Sequence, residues 1–282
     1  MPLKAFWIIF FSVTLLSCSV EGNKESKFDN LSETQKDSVA QYYHNFSNYF
    51  LQPSDMYRKL KDSALMIVPD NVEYRQKLSY SYKKRGEHIK AMEQLNQAVD
   101  FDIKQNSTDA LGYRAWSLLY YYRDYEGAIN DINKIEAMTG MAYNICWGEP
   151  CGFQKGQALY RLKKYEEAIK AFDKVNEEEE KRGFDTKDNI YILFYKGRCL
   201  EELGRLKEAM KCYQNAIGSY NTFPEAYYRI GKIFAKKDNE KGARANYYKA
   251  KELLNYKIQE PFIERFDEVF PYMIDEAIMY LE

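Results

Sequence analysis

Small and apolar residues recur in the second half of the chain at a fixed spacing of 34 residues. The recurring positions are Gly197 and Gly231, Ala209 and Ala243, Tyr213 and Tyr247, and Ala216 and Ala250. Large apolar residues lie between them at intervals of three or four, which is typical of amphipathic helices. A unit of this length cannot bury its apolar side alone and must stack on its neighbours. The pattern therefore predicts an all-α solenoid of helical hairpins.

The same pattern extends upstream with looser spacing. The predicted units cover residues 72–105, 109–142, 149–182, 190–223 and 224–257, after a degenerate pair of helices over residues 31–71. In the unit at 109–142 the first helix, which carries Ala115, is out of step with the second helix by one residue. We therefore expect Tyr120 and Tyr121, near the end of that first helix, to be displaced by one position.

The unit length and the small positions resemble those of the tetratricopeptide repeat family. The strictest unit shows Leu193, Gly197, Leu200, Leu206, Ala209, Tyr213 and Ala216. The next unit begins at Pro224, a residue well suited to the first turn of a helix. The resemblance implies a right-handed superhelical solenoid, and it implies that the first helix of each unit lines a concave groove.

Aromatic and basic residues dominate the groove positions that the resemblance transfers to this chain. These are Tyr80, Lys83, Lys84, Tyr113, Phe153, Gln157, Tyr160, Arg161, Tyr191, Phe194, Arg198, Tyr228, Lys232 and Lys236. Tyrosine and arginine are common at the energetic centres of protein interfaces. The resemblance thus implies a protein or peptide partner bearing acidic groups, although the same residues would also suit a merely solvated face. A second interpretation is a glycan-binding subunit of a nutrient-uptake complex, because tyrosines stack on sugars.

The beginning of the chain has the pattern of a secretory signal. Lys4 precedes an apolar run over residues 5–16, which is shorter than the roughly 20 residues needed to span a bilayer. The following Leu15-Leu16-Ser17-Cys18 resembles the lipobox of bacterial lipoproteins. That resemblance implies a signal peptide over residues 1–17 and lipidation of Cys18. The alternative is an ordinary cleaved signal followed by a coincidental cysteine.

The residues after Cys18 bear on where such a lipoprotein would reside. Ser19 resembles the sorting residue of outer-membrane lipoproteins, and residues 18–30 are predicted to be a polar, solvated tether. Because this tether lacks a dense acidic cluster, we expect the protein at the periplasmic face of the outer membrane.

Uneven spacing between units predicts two enlarged loops. The interval is 37 residues from Ala91 to Ala128, 40 from Ala128 to Ala168 and 41 from Ala168 to Ala209, compared with 34 for the strict repeat. The extra residues predict insertions at residues 139–150 and 176–189. Cys146 and Cys151 lie in the first of these loops and are either joined by a disulfide or present as two thiols. Cys199 and Cys212 fall at repeat positions and are read as packing residues.

The last part of the chain, residues 258–282, departs from the repeat. It keeps an alanine in phase at Ala277 but has Arg265 where a small residue belongs. Its wide apolar face suits the capping helices that an array of repeats requires, and a dimerisation helix is the alternative.

Composition gives no sign of catalysis or of nucleic-acid binding. The 41 basic and 42 acidic residues leave a net charge of −1, so no global field selects a polyanion. The two histidines lack partners at metal-ligand spacing, and no phosphate-binding or nucleophile motif occurs. We therefore predict a binding scaffold that is not an enzyme and that uses neither cofactor nor metal, with its oligomeric state left open.

Overall fold

The computed structural model describes residues 28, 30–186, 189–256 and 267–281 of the chain. Within these ranges the protein consists of successive helical hairpins, which confirms the predicted all-α solenoid. The helices are α1 Glu33–Ser47, α2 Asp55–Ile67, α3 Val72–Lys84, α4 His88–Lys104, α5 Asp109–Trp116, α6 Tyr125–Thr139, α7 Cys151–Arg161, α8 Tyr165–Lys181, α9 Ile190–Glu202, α10 Leu206–Ser219, α11 Pro224–Ala235, α12 Glu240–Leu253 and α13 Pro271–Met279. The predicted signal peptide and Cys18 lie outside the described residues.

The recurrent glycines lie where an aromatic ring of the second helix packs against the backbone of the first helix. A Cβ atom built on Gly197 would lie 2.6 Å from the ring of Tyr213, and one built on Gly231 would lie 2.6 Å from the ring of Tyr247. Each glycine is on the first helix of a unit and each tyrosine on the second, 16 residues later. The helices approach this closely only because the glycines have no side chain.

The turn within each repeat adopts the left-handed backbone conformation at one fixed position. Gly86, Arg123, Lys163, Gly204 and Asp238 have φ angles between 53° and 77° and occupy the same place in the five units. This conformation reverses the chain between the two helices, and glycine adopts it without steric cost.

The one-residue offset predicted for the unit at 109–142 has a structural cause. Helix α5 ends at Trp116 and continues as a π-helical segment, Ser117–Tyr122. Such a segment accommodates one residue more than the same length of α-helix. The second helix α6 therefore begins in phase with the rest of the array.

One small element departs from the all-α prediction. Two-residue strands, β1 Ile145–Cys146 and β2 Glu149–Pro150, pair in antiparallel register in the loop between α6 and α7. A disulfide joins Cys146 to Cys151, and both cysteines are buried. We call residues 145–151 the disulfide hairpin. Its turn residues Trp147 and Gly148 have φ angles of 53° and 97°, as the tight turns that suit a β-hairpin require.

The C-terminal segment, of which the structure describes residues 267–281, packs onto the last repeat. Helix α13 contacts α12, and its Ile274 and Ile278 are buried in a cluster with Tyr228, Ala243 and Tyr247. The predicted capping helices are thus represented by a single helix in the described part of residues 258–282. None of the helices in the described ranges combines the length and apolar character needed to cross a bilayer.

Candidate functional site

The first helices of successive repeats touch one another through a row of side-chain contacts. Lys83 of α3 donates to the Tyr113 hydroxyl of α5 at 3.1 Å, and the Tyr120 hydroxyl donates to Gln157 of α7. Further along, Arg198 of α9 donates to the Tyr160 hydroxyl of α7 at 2.9 Å. We call the surface formed by α3, α5, α7, α9 and α11 the inner face. The row shows that residues at the groove positions meet across neighbouring repeats.

Lys83 is the centre of the first part of the inner face, which is the part around helices α3 and α5. Its ammonium group lies 5.0–5.2 Å from the ring centroids of Tyr80, Tyr113, Trp116 and Tyr121, and its side chain is buried. Attraction between a cation and aromatic faces stabilises this arrangement. Burial, together with the charge of Lys84, lowers the pKa of Lys83 to about 8.

A small cavity opens beside these rings. It has a volume of about 190 Å³ and is lined by Tyr80, Tyr113, Trp116, Trp147, Gln52, Gln76 and Lys77. The disulfide hairpin contributes Trp147, whose ring centroid is 4.7 Å from that of Tyr113 and 6.5 Å from that of Trp116. Trp147 is 51% exposed, so much of its side chain remains available. We call this cavity the aromatic pocket.

The disulfide hairpin is fixed to the helices at several points. A Cβ atom on Gly112 of α5 would lie 3.3 Å from the Cα of Cys146, so the hairpin approaches the helix where no side chain intervenes. The Gln154 side chain donates to the Cys146 carbonyl, and a carboxylate oxygen of Glu149 lies 2.9 Å from the Tyr120 hydroxyl. Trp147 is consequently presented by a braced element.

A network of charges occupies the second part of the inner face, which is the part around helices α9 and α11. Arg198 is buried and donates to Glu201 at 3.1 Å and to Glu202 at 2.9 Å, and its Nε lies 3.3 Å from Asp267. Asp267 belongs to the C-terminal segment, so the chain's own tail reaches helix α9 here. Burial and the nearby Asp267 carboxylate raise the pKa of the Tyr160 hydroxyl well above its usual range.

Glu201 extends this network to the next repeat. Its carboxylate lies 3.2 Å from Nε of Arg229 and 3.8 Å from Nζ of Lys236, and it accepts a hydrogen bond from Tyr213 at 3.0 Å. The same tyrosine fills the space above Gly197. The charges of the inner face are therefore coupled to the packing within the hairpin.

A wider depression lies where the C-terminal helix meets the last repeat. Its volume is about 600 Å³, and Tyr228, Lys232 and Tyr247 line it together with Met273 and Tyr280 of the C-terminal segment. The predicted groove residues Tyr228 and Lys232 therefore face the chain's own tail.

Burial divides the predicted groove residues into two sets. Eight of the predicted residues are buried and present little surface to a partner, namely Lys83, Tyr113, Phe153, Gln157, Tyr160, Phe194, Arg198 and Tyr228. Several of them contact one another across adjacent first helices, Phe194 packs against Tyr213 and Phe223, and Tyr228 lies in the cluster with α13. Six remain exposed or half-buried, namely Tyr80, Lys84, Arg161, Tyr191, Lys232 and Lys236.

Sequence reasoning overlooked four residues of this face. Glu201 and Glu202 fall at groove positions of the unit 190–223 and make its electrostatics less basic than predicted. Trp147 lies in the enlarged loop, whose insertion was visible as excess spacing. Asp267 lies outside the repeats, and no periodic signal connects it to Arg198.

The described residues contain no cluster of histidine, cysteine and carboxylate groups that could hold a metal ion. Cys199 is buried, and its burial raises the pKa of its thiol to about 12. A thiol in such surroundings is a packing group and a poor nucleophile.

Comparison with protein families identifies repeats in the same places. A family model described as "TPR repeat" matches residues 197–238, and one described as "Tetratricopeptide repeat" matches residues 153–181 and 224–253. These models describe repeats and not a catalytic domain. No curated protein matches the chain.

Solved structures share the fold at low sequence identity. MamA (from residue 41 onward) of Desulfovibrio magneticus RS-1 is 16% identical with a TM-score of 0.55, covering 67% of this chain and 97% of that one. PilW, a widely conserved type IV pilus biogenesis factor, is 15% identical with a TM-score of 0.56, covering 79% and 94%. YrrB, a TPR protein with an unusual peptide-binding site, is 16% identical with a TM-score of 0.51, covering 69% and 92%.

The interlocked glycines, the shared turn position and the family matches agree with one another. This chain therefore contains tetratricopeptide repeats, and its helical solenoid is the fold found in solved tetratricopeptide proteins.

Proposed function

We propose that this protein is a scaffold that binds another protein or a peptide on its inner face. The observation that carries the proposal is the contrast between the two parts of that face. The C-terminal segment covers the part around Arg198 and Tyr228, whereas the part around Tyr80 and Lys84 presents aromatic rings and lysines to solvent. Exposed aromatic and basic side chains beside a cavity are typical of protein interaction sites.

The solved structures of similar fold support an interaction role. YrrB has a peptide-binding site, and PilW acts in type IV pilus biogenesis. By analogy with these proteins, we propose a role in envelope assembly, secretion or the docking of peptidoglycan enzymes.

Site-specific photo-crosslinking in cells tests the proposed inner-face binding. A photoreactive residue in place of Lys84, exposed on α3, is expected to capture a partner that mass spectrometry identifies. The matched control is Lys241, exposed on α12, the second helix of its repeat. Capture of the same partner with equal yield from Lys241 would contradict the proposal.

We further propose that Cys18 carries lipid and tethers the scaffold to the outer membrane. The lipobox-like Leu15-Leu16-Ser17-Cys18 supports this proposal, because lipid chains contribute about 0.8 kcal/mol per buried methylene and more than one chain anchors a protein stably. Cys18→Ala is expected to move the protein from the membrane fraction to the soluble fraction. Unchanged membrane association would argue against the lipid anchor.

A further inference from the structure

We propose that the aromatic pocket receives one large apolar side chain of an extended peptide, whose neighbouring acidic residue lies against the lysines at the pocket rim. This inference rests on the proposed function and specifies the chemistry of the partner. It assigns a binding role to the disulfide hairpin, which the repeat pattern does not include.

The size of the pocket favours a single side chain. Pockets for small-molecule ligands and cofactors usually have volumes of about 300–1,000 Å³. The aromatic pocket, at about 190 Å³, is smaller than these. Its walls are the rings of Tyr80, Tyr113, Trp116 and Trp147, which are suited to burying an apolar group.

The pocket is formed before any partner arrives. Tyr113 and Trp116 are held beneath it by their packing around the Lys83 ammonium group, and Trp147 is held above it by the disulfide hairpin. A preformed pocket spares a ligand the cost of ordering these side chains. Buried aromatic anchors in such pockets dominate the energetics of many interfaces.

The polar groups at the rim select the charge of the peptide. Lys77 lines the pocket, and the Lys84 ammonium lies 4.5 Å from the Tyr80 ring centroid and donates to Gln52 at 2.7 Å. Among the described residues, those lining the pocket include two amides and a lysine but no carboxylate. An acidic residue beside the anchor would therefore meet complementary charge.

The chain's own C-terminal segment shows that the inner face accommodates this combination. Asp267 places its carboxylate on Arg198, and two residues later Val269 is buried in the cluster with Tyr228 and Tyr247. An acidic residue followed by an apolar one thus occupies the second part of the inner face. The aromatic pocket and its lysines offer matching chemistry in the first part.

Tryptophan fluorescence of the full chain in detergent tests the inference. The protein has three tryptophans, and in a Trp7→Phe background the remaining two, Trp116 and Trp147, both line the pocket. The probe is Ac-Asp-Glu-Leu-Phe-NH2. We expect a saturable change in fluorescence, and no saturable change with Ac-Asp-Glu-Ser-Ser-NH2, which lacks the apolar side chains.

Variants assign the response to the pocket. Trp147→Ala, at an exposed position of the hairpin, is expected to weaken binding about tenfold or more, measured by calorimetry. Lys77→Glu is expected to weaken binding of the acidic probe and to strengthen binding of Ac-Lys-Lys-Leu-Phe-NH2. The matched controls are Tyr248→Ala and Lys241→Glu on α12, which should bind the acidic probe as the parent does.

Three outcomes would overturn the inference. They are no saturable response to the acidic probe, an equal response to the basic probe in the parent protein, and a response to maltohexaose but to no peptide. If such a result accompanies capture of a partner from Lys84 in cells, the proposed function stands and only the anchor site fails. If Lys84 also captures nothing, both proposals fail.

Discussion

Arg198→Ala should destabilise the protein by about 3 kcal/mol, because the substitution removes a buried cation that is paired with three carboxylates. Glu201 is buried, and Asp267 meets Arg198 across the junction between the repeats and the C-terminal segment. The free energy of unfolding from urea denaturation measures the effect. The loss should exceed that of an ordinary surface substitution, which is usually within about 0.5 kcal/mol.

The neighbouring first helix provides a matched control. Arg161 on α7 is also a predicted groove residue but is exposed, so Arg161→Ala should change stability little. A double-mutant cycle of Arg198→Met with Asp267→Asn should show less than additive loss, since the two side chains contact each other. Equal stability of the Arg198 and Arg161 variants would refute a network buried against the C-terminal segment.

Gly197→Ala should destabilise the protein by about 1–3 kcal/mol through overpacking. The added methyl group would lie 2.6 Å from the ring of Tyr213. That ring cannot move aside easily, because Tyr213 is fully buried and its hydroxyl donates to Glu201. Thermal or urea denaturation of the variant measures the loss.

Gly218→Ala is the control for helix propensity. Gly218 lies within α10, and a Cβ atom there would meet nothing within 4 Å. Alanine is favoured over glycine by about 0.5–1 kcal/mol in a helix interior and by less in the last turn, where Gly218 lies, so this variant should be slightly more stable than the parent. The same substitution is therefore expected to have opposite effects at two positions 21 residues apart. Stabilisation by both substitutions would contradict the interlocking of Gly197 with Tyr213.

Periodic features could be predicted from sequence because each repeat meets the same packing problem. The 34-residue spacing located the glycines that face aromatic rings, and buried alanines such as Ala209 and Ala243 occupy the expected contacts. The offset in the unit at 109–142 was visible as well. Its cause, the π-helical segment Ser117–Tyr122, was not, because residue spacing does not show which turn absorbs the extra residue.

Features without a period could not be predicted from sequence. Trp147 reaches the aromatic pocket only through the geometry of the disulfide hairpin, and Asp267 meets Arg198 from outside the repeats. The position of a residue within a repeat also does not show whether its side chain is exposed in the groove or buried by packing. Lys83 and Lys84 are adjacent in sequence, yet Lys83 is buried among aromatic rings and Lys84 is exposed.

The central claim is that a partner binds the first part of the inner face while the chain's own C-terminal segment covers the second. The most direct measurement is a comparison of photo-crosslinking in cells from Lys84, beside the aromatic pocket, and from Lys232, beside the C-terminal helix. The account predicts an identified partner crosslinked from Lys84, with Lys232 giving crosslinks only within the chain. Capture of a partner from Lys232 and none from Lys84 would contradict it.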